Sequence, residues 1–521
     1  MANNGKGVGT APDGKTVFVN GAVPGDRLLA ERITERPRFY EAEIREILVP
    51  SPVRIAADCP ETDRCGGCCF RQMTCEAELK AKTGFVCDAF RRIGGFEVLP
   101  SEPIIPSPLM EFYRNKAEFA IGTDRDGKLT AGFYSEKTHR VVPVPNCRIV
   151  PKEFLKITEA FTDILKLRPG LIHHLVLRRS GLTGVIMLII ASAEKDFRGA
   201  AEAAEKIREL FPQVVSVILN TCREENSPVT GAKTRVLSGA PFIRDQICGV
   251  PVEIGPLSFF QVNTPAAELL YKTAAEFADV GSDDVVLDLY CGMGTIGLAI
   301  APGCRQLIGG EIIPEAVESA RRNAAAMGLT NSRFLCGDAG KIAGTLIREK
   351  IRPSLIILDP PRKGCSPETL EAVLALNPDR IVMVSCDPAT AARDCRVLCD
   401  RGYPLTRLRP VDLFPGTKHV ETVVCLSQQK PDDHIEIEID LDEIDATSAE
   451  TKATYKEIQV WVQEKYGFHV TNLNIAQVKQ KHGIIERENY NKPKSEDSKQ
   501  PGCPEEKVKA IEDAMRHFQM I

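Results

Sequence analysis

No stretch of this 521-residue chain approaches the ~18 consecutive apolar residues of a membrane-spanning helix, which excludes a bilayer-embedded fold. Met1 to Lys15 hold no apolar segment of the signal-peptide kind, so the expected location is the cytoplasm. Charge of one sign is also scarce: 66 Lys and Arg against 71 Asp and Glu leave −5, which taken alone argues against a polyanionic partner. No internal repeat is present, and 43% hydrophobic residues with 26% charged exclude disorder. What remains is a soluble multidomain chain, roughly three to four domains at ~150 residues each.

The small net charge conceals a local one. Lys430 to Glu450 carries nine acids against one base, so −8 sits in 21 residues, and −5 less −8 leaves +3 on the rest. Polyanion binding by the remainder is therefore permitted. Eighteen cysteines in a reducing compartment are free thiols for metal binding, catalysis or packing, not a disulfide count.

Residues 1–51 read as short strands between turn signals, Thr16 to Val19, Leu28 to Ile33 and Tyr40 to Leu48, and predict a small β-barrel. Five cysteines then fall between Cys59 and Cys75, in a stretch too Gly-rich for a packed helix. Residues 52–260 mix strands near Leu175, Ile189 and Val217 with a helix from Phe197 to Phe211, an α/β region. Residues 261–428 alternate more regularly. A helix to Ala278 precedes strands at Val285 to Leu289, Leu307 to Gly310, Arg333 to Cys336, Ser354 to Leu358 and Arg380 to Val384, with helices such as Pro314 to Met327 and Pro367 to Leu376 between them. Continuous apolar strands joined by crossover helices predict a parallel sheet covered on both faces. Past an acidic linker at 429–450, residues 451–521 predict a small helical module.

The first of those strands runs into Tyr290-Cys291-Gly292-Met293-Gly294-Thr295-Ile296-Gly297, whose glycines let the backbone turn sharply and approach a ligand. Glu311, 23 residues after Asp288, is placed to accept hydrogen bonds from ribose hydroxyls. The same spacing serves dinucleotides or a bare structural turn, and no phosphate-cradling Gly-Lys-Ser/Thr follows, so a nicotinamide dinucleotide and S-adenosylmethionine both stay open. Asp338 and Asp359 follow the third and fourth strands on the same sheet edge. An acidic rim repels a pyrophosphate and attracts a sulfonium cation, which favours S-adenosylmethionine.

Ser385-Cys386-Asp387-Pro388 ends the fifth strand, which points Cys386 into a cleft, whereas an inert thiol would be buried in the core. With Asp359-Pro360-Pro361-Arg362 and His419-Val420-Glu421, that cleft would hold a thiol, a guanidinium and two carboxylates. Uracil C5 is a poor nucleophile, but a thiolate adding to C6 makes C5 an enolate carbon able to accept a methyl group. The C5 proton must then leave, with Glu421 the candidate base, and Arg362 is expected to lower the thiol pKa.

Cys291-Gly292-Met293-Gly294, Asp359-Pro360-Pro361-Arg362, Ser385-Cys386-Asp387-Pro388 and Phe414-Pro415 through His419-Val420-Glu421 resemble, in order and spacing, the RNA uracil-5-methyltransferases. From about Gly7 to Ser427 the chain is most similar to the branch acting on 23S ribosomal RNA. The resemblance implies a TRAM domain, an OB-like RNA-binding barrel, over 1–51 and a Rossmann-like class I methyltransferase domain over 261–428. It implies S-adenosylmethionine as methyl donor, Cys386 as nucleophile and Glu421 as base. Gln261, Tyr290, Thr295, Glu311, Asp338 and Asp359 would contact the cofactor. Phe259 would stack on the target base, unless it is a core aromatic. A stacked nucleotide must be extruded to reach such a cleft, at a cost of ~2–4 kcal/mol, and an aromatic platform returns roughly 1–3 kcal/mol.

Cys59-x5-Cys65-Gly66-Gly67-Cys68 supplies three thiols at chelating spacing, and Cys147 in Pro145-Asn146-Cys147 a fourth. Spacing alone admits zinc or an iron–sulfur group and does not exclude Cys69 or Cys75 as ligands. The resemblance implies a [4Fe-4S] cluster on Cys59, Cys65, Cys68 and Cys147, structural or RNA-facing; without a Cys-x3-Cys-x2-Cys run, radical chemistry is not expected. The function so implied is S-adenosylmethionine-dependent methylation of a uridine in 23S ribosomal RNA, with no obligate protein partner evident. A transfer-RNA uridine is the alternative within the class; the resemblance implies that those relatives commonly lack the cluster, which sets them apart. A non-catalytic RNA-binding iron–sulfur protein is the alternative outside it, and a cytosine-5-methyltransferase would share the thiol addition. Residues 428–521 lie beyond the resemblance. There Tyr455, Trp461 and Tyr466 read as a small core, and Lys479, Lys481 and Arg487 as candidate phosphate contacts.

Overall fold

Period-two alternation in the first fifty residues builds β1 (Gly7–Thr10), β2 (Thr16–Val19), β3 (Arg27–Glu35) and β4 (Phe39–Val49). The computed structural model describes all residues except 124–128, 137, 139, 166–170, 223–230, 232, 429–452, 483, 485–502 and 519. The four strands form a sheet in the order β1-β2-β4-β3, with β2 and β4 parallel and the other pairs antiparallel. In place of the expected barrel there is thus a four-stranded sheet with β1 and β3 at its edges. The reason is composition: no residue of β3 is buried, and only Val19, Ala22 and Ala42 form the fully covered core.

Thr74 opens α1 (Cys75–Arg92) by accepting the Ala77 N–H, with Glu76 and Glu78 in the first turn and Arg91 and Arg92 in the last, as the helix dipole prefers. The sequence reading has no helix here, because Glu78 and Lys82 interrupt its apolar stripe; both are nevertheless buried.

A second sheet, in the order β11-β10-β9-β8-β5-β6-β7, contains β5 (Lys116–Thr123), β6 (Leu129–Tyr134), β7 (Val141–Pro143), β8 (Ile172–Arg179), β9 (Ile186–Ser192), β10 (Val214–Thr221) and β11 (Lys233–Gly239). α2 (Lys152–Leu165) and α3 (Ala200–Leu210) join it around Phe154, Ile157, Leu175 and Ile190. The hairpin β12 (Ile243–Ile247) and β13 (Val250–Ile254) follows.

The third sheet carries the site. It comprises β14 (Val285–Leu289), β15 (Gln306–Glu311), β16 (Ser332–Cys336), β17 (Leu355–Leu358), β18 (Arg380–Ser385), β19 (Leu405–Val411) and β20 (Glu421–Ser427), in the order β16-β15-β14-β17-β18-β20-β19. The helices α4 (Thr264–Ala278), α5 (Thr295–Ile300), α6 (Pro314–Ala326), α7 (Ala339–Arg348), α8 (Pro367–Leu376) and α9 (Pro388–Cys399) belong to the same region. The first five strands are parallel, and β20 enters antiparallel between β18 and β19. Both faces are buried: Val286, Ile357 and Val382 pack in one core, and Leu287, Ile356 and Ile381 in the other. A continuous apolar run is what a strand covered on both sides requires.

Met1–Pro431 and Asp432–Ile521 are two compact units. The second, taken by itself, packs α10 (Tyr455–Tyr466), α11 (Asn472–Lys481) and α12 (Glu505–His517) around Ile458, Val462, Ile475 and Ile511. Tyr455 and Trp461 pack against this core, and Trp461 stacks on His517 with centroids 5.2 Å apart. Lys479 is corrected as a phosphate contact: it is 3% exposed, its ammonium 4.4 Å over the Tyr455 ring. Lys481 is exposed and pairs with Glu512 at 3.2 Å. Arg487 and the acidic stretch 429–450 lie outside the described residues. Among the described residues no helix is long and apolar enough to cross a membrane.

Candidate active site

Strand order reverses at β14, with β15 on one side and β17 on the other, so the carboxyl ends of these strands flank a crevice. The chain leaves β14 through Tyr290, Gly292 and Gly294 at φ 63°, 53° and 77°, in the left-handed region. Asp288 Oδ2 accepts the Gly297 N–H at 2.9 Å, and a Cβ on Gly297 would stand 2.7 Å from that oxygen, so only glycine fits. Glu311 accepts the Gly292 N–H on Oε2 at 3.0 Å and the Ile313 N–H on Oε1 at 2.9 Å. The carboxylate expected to hold ribose therefore also fastens the turn, with lone pairs to spare.

The other predicted cofactor contacts gather around this turn. Thr295 Oγ1 is 3.1 Å from the Tyr271 hydroxyl, whose pKa the Gln261 side chain lowers. Tyr290 donates to Thr369 Oγ1 at 3.2 Å, and Asp338 caps α7 by accepting the Gly340 N–H at 3.0 Å. Asp359 follows β17 directly and raises the Tyr271 hydroxyl pKa after burial does. Sequence reasoning missed Asp288 and Tyr271. Asp288 is 1% exposed and its Oδ1 has no partner among the described residues. Burial, then the charges of Asp359 and Glu311, push its carboxyl up to about 8. A lone aspartate inside Val285-Val286-Leu287-Asp288-Leu289 was the available signal.

Pairing of β18 with β20 sets Ser385 opposite Thr422, which brings the next residue, Cys386, beside Glu421. On the other flank Leu358 pairs with Met383, so Asp359 reaches the same place. Cys386 is half-buried and Glu421 is 5% exposed. Burial first, and Glu421 second, push the Cys386 thiol up to about 11. Arg362 lowers this pKa as expected, but the guanidinium is exposed and outweighed, so the net shift is upward. Burial and Asp359 push Glu421 up to about 8 against Arg362, and burial lifts Asp359 to about 7. Carboxyls poised near neutrality can take or give a proton at physiological pH. Burial and then Arg362 hold the His419 imidazole down to about 4, so that ring is neutral. Phe259 is 72% exposed beside the buried Phe260, which rules out a core role for it.

Cys59, Cys65, Cys68 and Cys147 line one small cavity of about 20 Å³ with Arg71, Arg148, Phe133, Val144 and Ile149. Cys69 and Cys75 do not line it. Burial pushes the Cys68 thiol up to about 12 and raises Cys65 and Cys147 as well. Among the described residues no group of three or more His, Cys, Asp or Glu is arranged to hold a metal ion.

Residues 76–429 match the family described as tRNA (uracil-5-)-methyltransferase. The chain belongs to this family. An uncharacterized RNA methyltransferase of Halalkalibacterium halodurans is 36% identical over 436 residues, 82% of this chain and 95% of the relative. One from Gloeobacter violaceus is 37% identical over 438 residues, again 82% and 95%. The crystal structure of Pyrococcus abyssi tRNA (uracil-54, C5)-methyltransferase in complex with S-adenosyl-L-homocysteine is similar over 81% of this chain and 100% of that one, with a TM-score of 0.63 and 25% identity. The family match contains Cys386 and Glu421 and begins after Cys59, Cys65 and Cys68.

Proposed function

We propose that the protein transfers a methyl group to C5 of an RNA uridine through a transient bond between Cys386 and uracil C6. The observation that carries this is the juxtaposition of the Cys386 thiol, Glu421 and Asp359 at the strand ends beside the glycine turn. S-adenosylmethionine supplies an electrophilic methyl group when bound, and the S-adenosyl-L-homocysteine of the Pyrococcus abyssi enzyme supports that donor. Gln261, Tyr290, Thr295, Glu311, Asp338 and Asp359 are the residues proposed to hold it. Asp359 is available for the thiol proton, which leaves Glu421 for the later one. Cys386 sulfur adds to C6 and the ring electrons move to C5, which forms its bond to the methyl carbon as the sulfonium–methyl bond breaks. Glu421 then takes the C5 proton, the C5–H electron pair restores the C5–C6 double bond, and the C6–S bond breaks to return the thiolate.

Residues 1–51 are proposed as a TRAM-like RNA-binding segment, 52–260 as the cysteine-bearing region and 261–428 as the catalytic domain, working in the cytoplasm. Cys59, Cys65, Cys68 and Cys147 would hold a [4Fe-4S] cluster beside Arg71, which favours the Cys68 thiolate while it and Arg148 pair with Asp58 and Glu111. The cysteine site and the N-terminal sheet favour 23S ribosomal RNA as substrate. A transfer-RNA uridine is the second reading, favoured by the family's name and by the Pyrococcus abyssi enzyme. Incubation with methyl-labelled S-adenosylmethionine and separated 23S and transfer RNAs decides between them. Label in a 23S uridine is expected; label confined to transfer RNA supports the second reading, label in cytidine a cytosine enzyme, and no label a non-catalytic RNA-binding protein.

A further inference from the structure

The loop between β19 and β20, from Asp412 to Val420, ends at Glu421 and is held by α1. Lys82 of α1 is fully buried, and its ammonium donates to Glu78 Oε1 at 2.6 Å, to Asp412 Oδ1 at 2.6 Å and to the Phe414 carbonyl at 3.1 Å. All three of its protons are thereby used. Glu78 Oε1 also accepts the Gly416 N–H at 2.7 Å, and Asp412 Oδ1 accepts the Phe414 N–H at 3.2 Å. From the opposite side, the Cys69 and Phe70 N–H groups both donate to the Gly416 carbonyl at 3.0 Å. Gly416 has φ 78°, and a Cβ there would meet Arg71 Cδ at 3.1 Å.

We infer that Lys82, Glu78 and Asp412 are positioning residues that set the Glu421 carboxylate for removal of the C5 proton, with Gly416 as the point where the clamp grips. The inference rests on the proposed role of Glu421. A buried lysine between two carboxylates is a poor source of stability, since apolar side chains of equal volume often serve as well or better. What it supplies is one geometry for the chain around it. Here that chain runs from the end of β19 to the first residue of β20, and Glu421 can hardly shift while Phe414 and Gly416 are fixed from two sides. The clamp touches neither the glycine turn nor Phe259; on its other side Gly416 borders the cysteine loop at Cys69 and Arg71. If Glu421 is displaced, Cys386 still adds to C6 and C5 still receives its methyl group. The C5–H bond then persists, the C6–S bond cannot break, and protein and RNA remain joined.

The experiment incubates full-length protein with uridine-containing RNA and methyl-labelled S-adenosylmethionine, then reads turnover, RNA affinity and the methyl-labelled protein–RNA adduct that survives denaturation. Lys82→Met and Gly416→Ala are expected to lower turnover about tenfold to a hundredfold and to accumulate adduct, with RNA affinity within about twofold of the wild type. Glu78→Gln keeps a carbonyl for the Gly416 N–H and should accumulate less adduct than Lys82→Met. If Lys82→Met does not fold, Gly416→Ala carries the test. Adduct in Glu421→Ala with none in Gly416→Ala or a folded Lys82→Met overturns the clamp alone. Absence of adduct in Glu421→Ala overturns the general-base reading and the clamp with it.

Discussion

At the scale of single residues the account turns on proton positions. Cys386→Ser should lower methyl transfer by on the order of 10⁴-fold or more, because an alkoxide is far harder to form than a thiolate at neutral pH. The pH dependence follows from the carboxyls. Glu421 must be ionised to accept a proton, and its pKa is lifted to about 8 by burial and by Asp359, so turnover should rise with pH through that region. Asp359→Asn removes the proposed acceptor of the thiol proton together with the negative charge that raises Glu421, so at saturating donor the maximal turnover should fall while the rising limb moves toward acid. A limb that stays in place would mean that Glu421 does not titrate in turnover. For Phe259→Ala, loss of a stacking platform worth roughly 1–3 kcal/mol should weaken RNA binding by about 5- to 150-fold, read by titration with the donor site left unchanged.

Elements show how much the residues could announce in advance. The parallel strands were legible because their runs, Leu355 to Leu358 above all, are apolar on both faces, and crossover helices such as α6 and α8 open on proline. α1 was not legible, since its buried face includes Glu78 and Lys82, whose partners Asp412 and Phe414 are remote in sequence. The nearness of Cys386 and Glu421 rests on β20 entering antiparallel beside β18, a long-range choice that the late loop suggested without fixing its register. The sign of the Cys386 shift depends on burial, which a motif does not carry. Within the cysteine element, Cys65→Ser should remove iron and brown colour from anaerobically isolated protein; full activity from a colourless, iron-free preparation would remove the cluster from the account.

For the whole molecule, the second unit has a core of its own around Val462, Ile475 and Ile511, and no predicted catalytic or cofactor-binding residue lies beyond Glu421. A chain ending at Pro431 should therefore fold and methylate short RNA at the wild-type turnover. A lower affinity for whole ribosomal RNA in that truncated chain would assign the appended helices to substrate capture. The covalent step itself is tested most directly with RNA carrying 5-fluorouridine, where fluorine replaces the proton that Glu421 must remove. With S-adenosylmethionine present, the account predicts a protein–RNA complex that survives denaturation and is absent in Cys386→Ser; methylation of ordinary uridine without any trapped complex on the fluorinated RNA would contradict it.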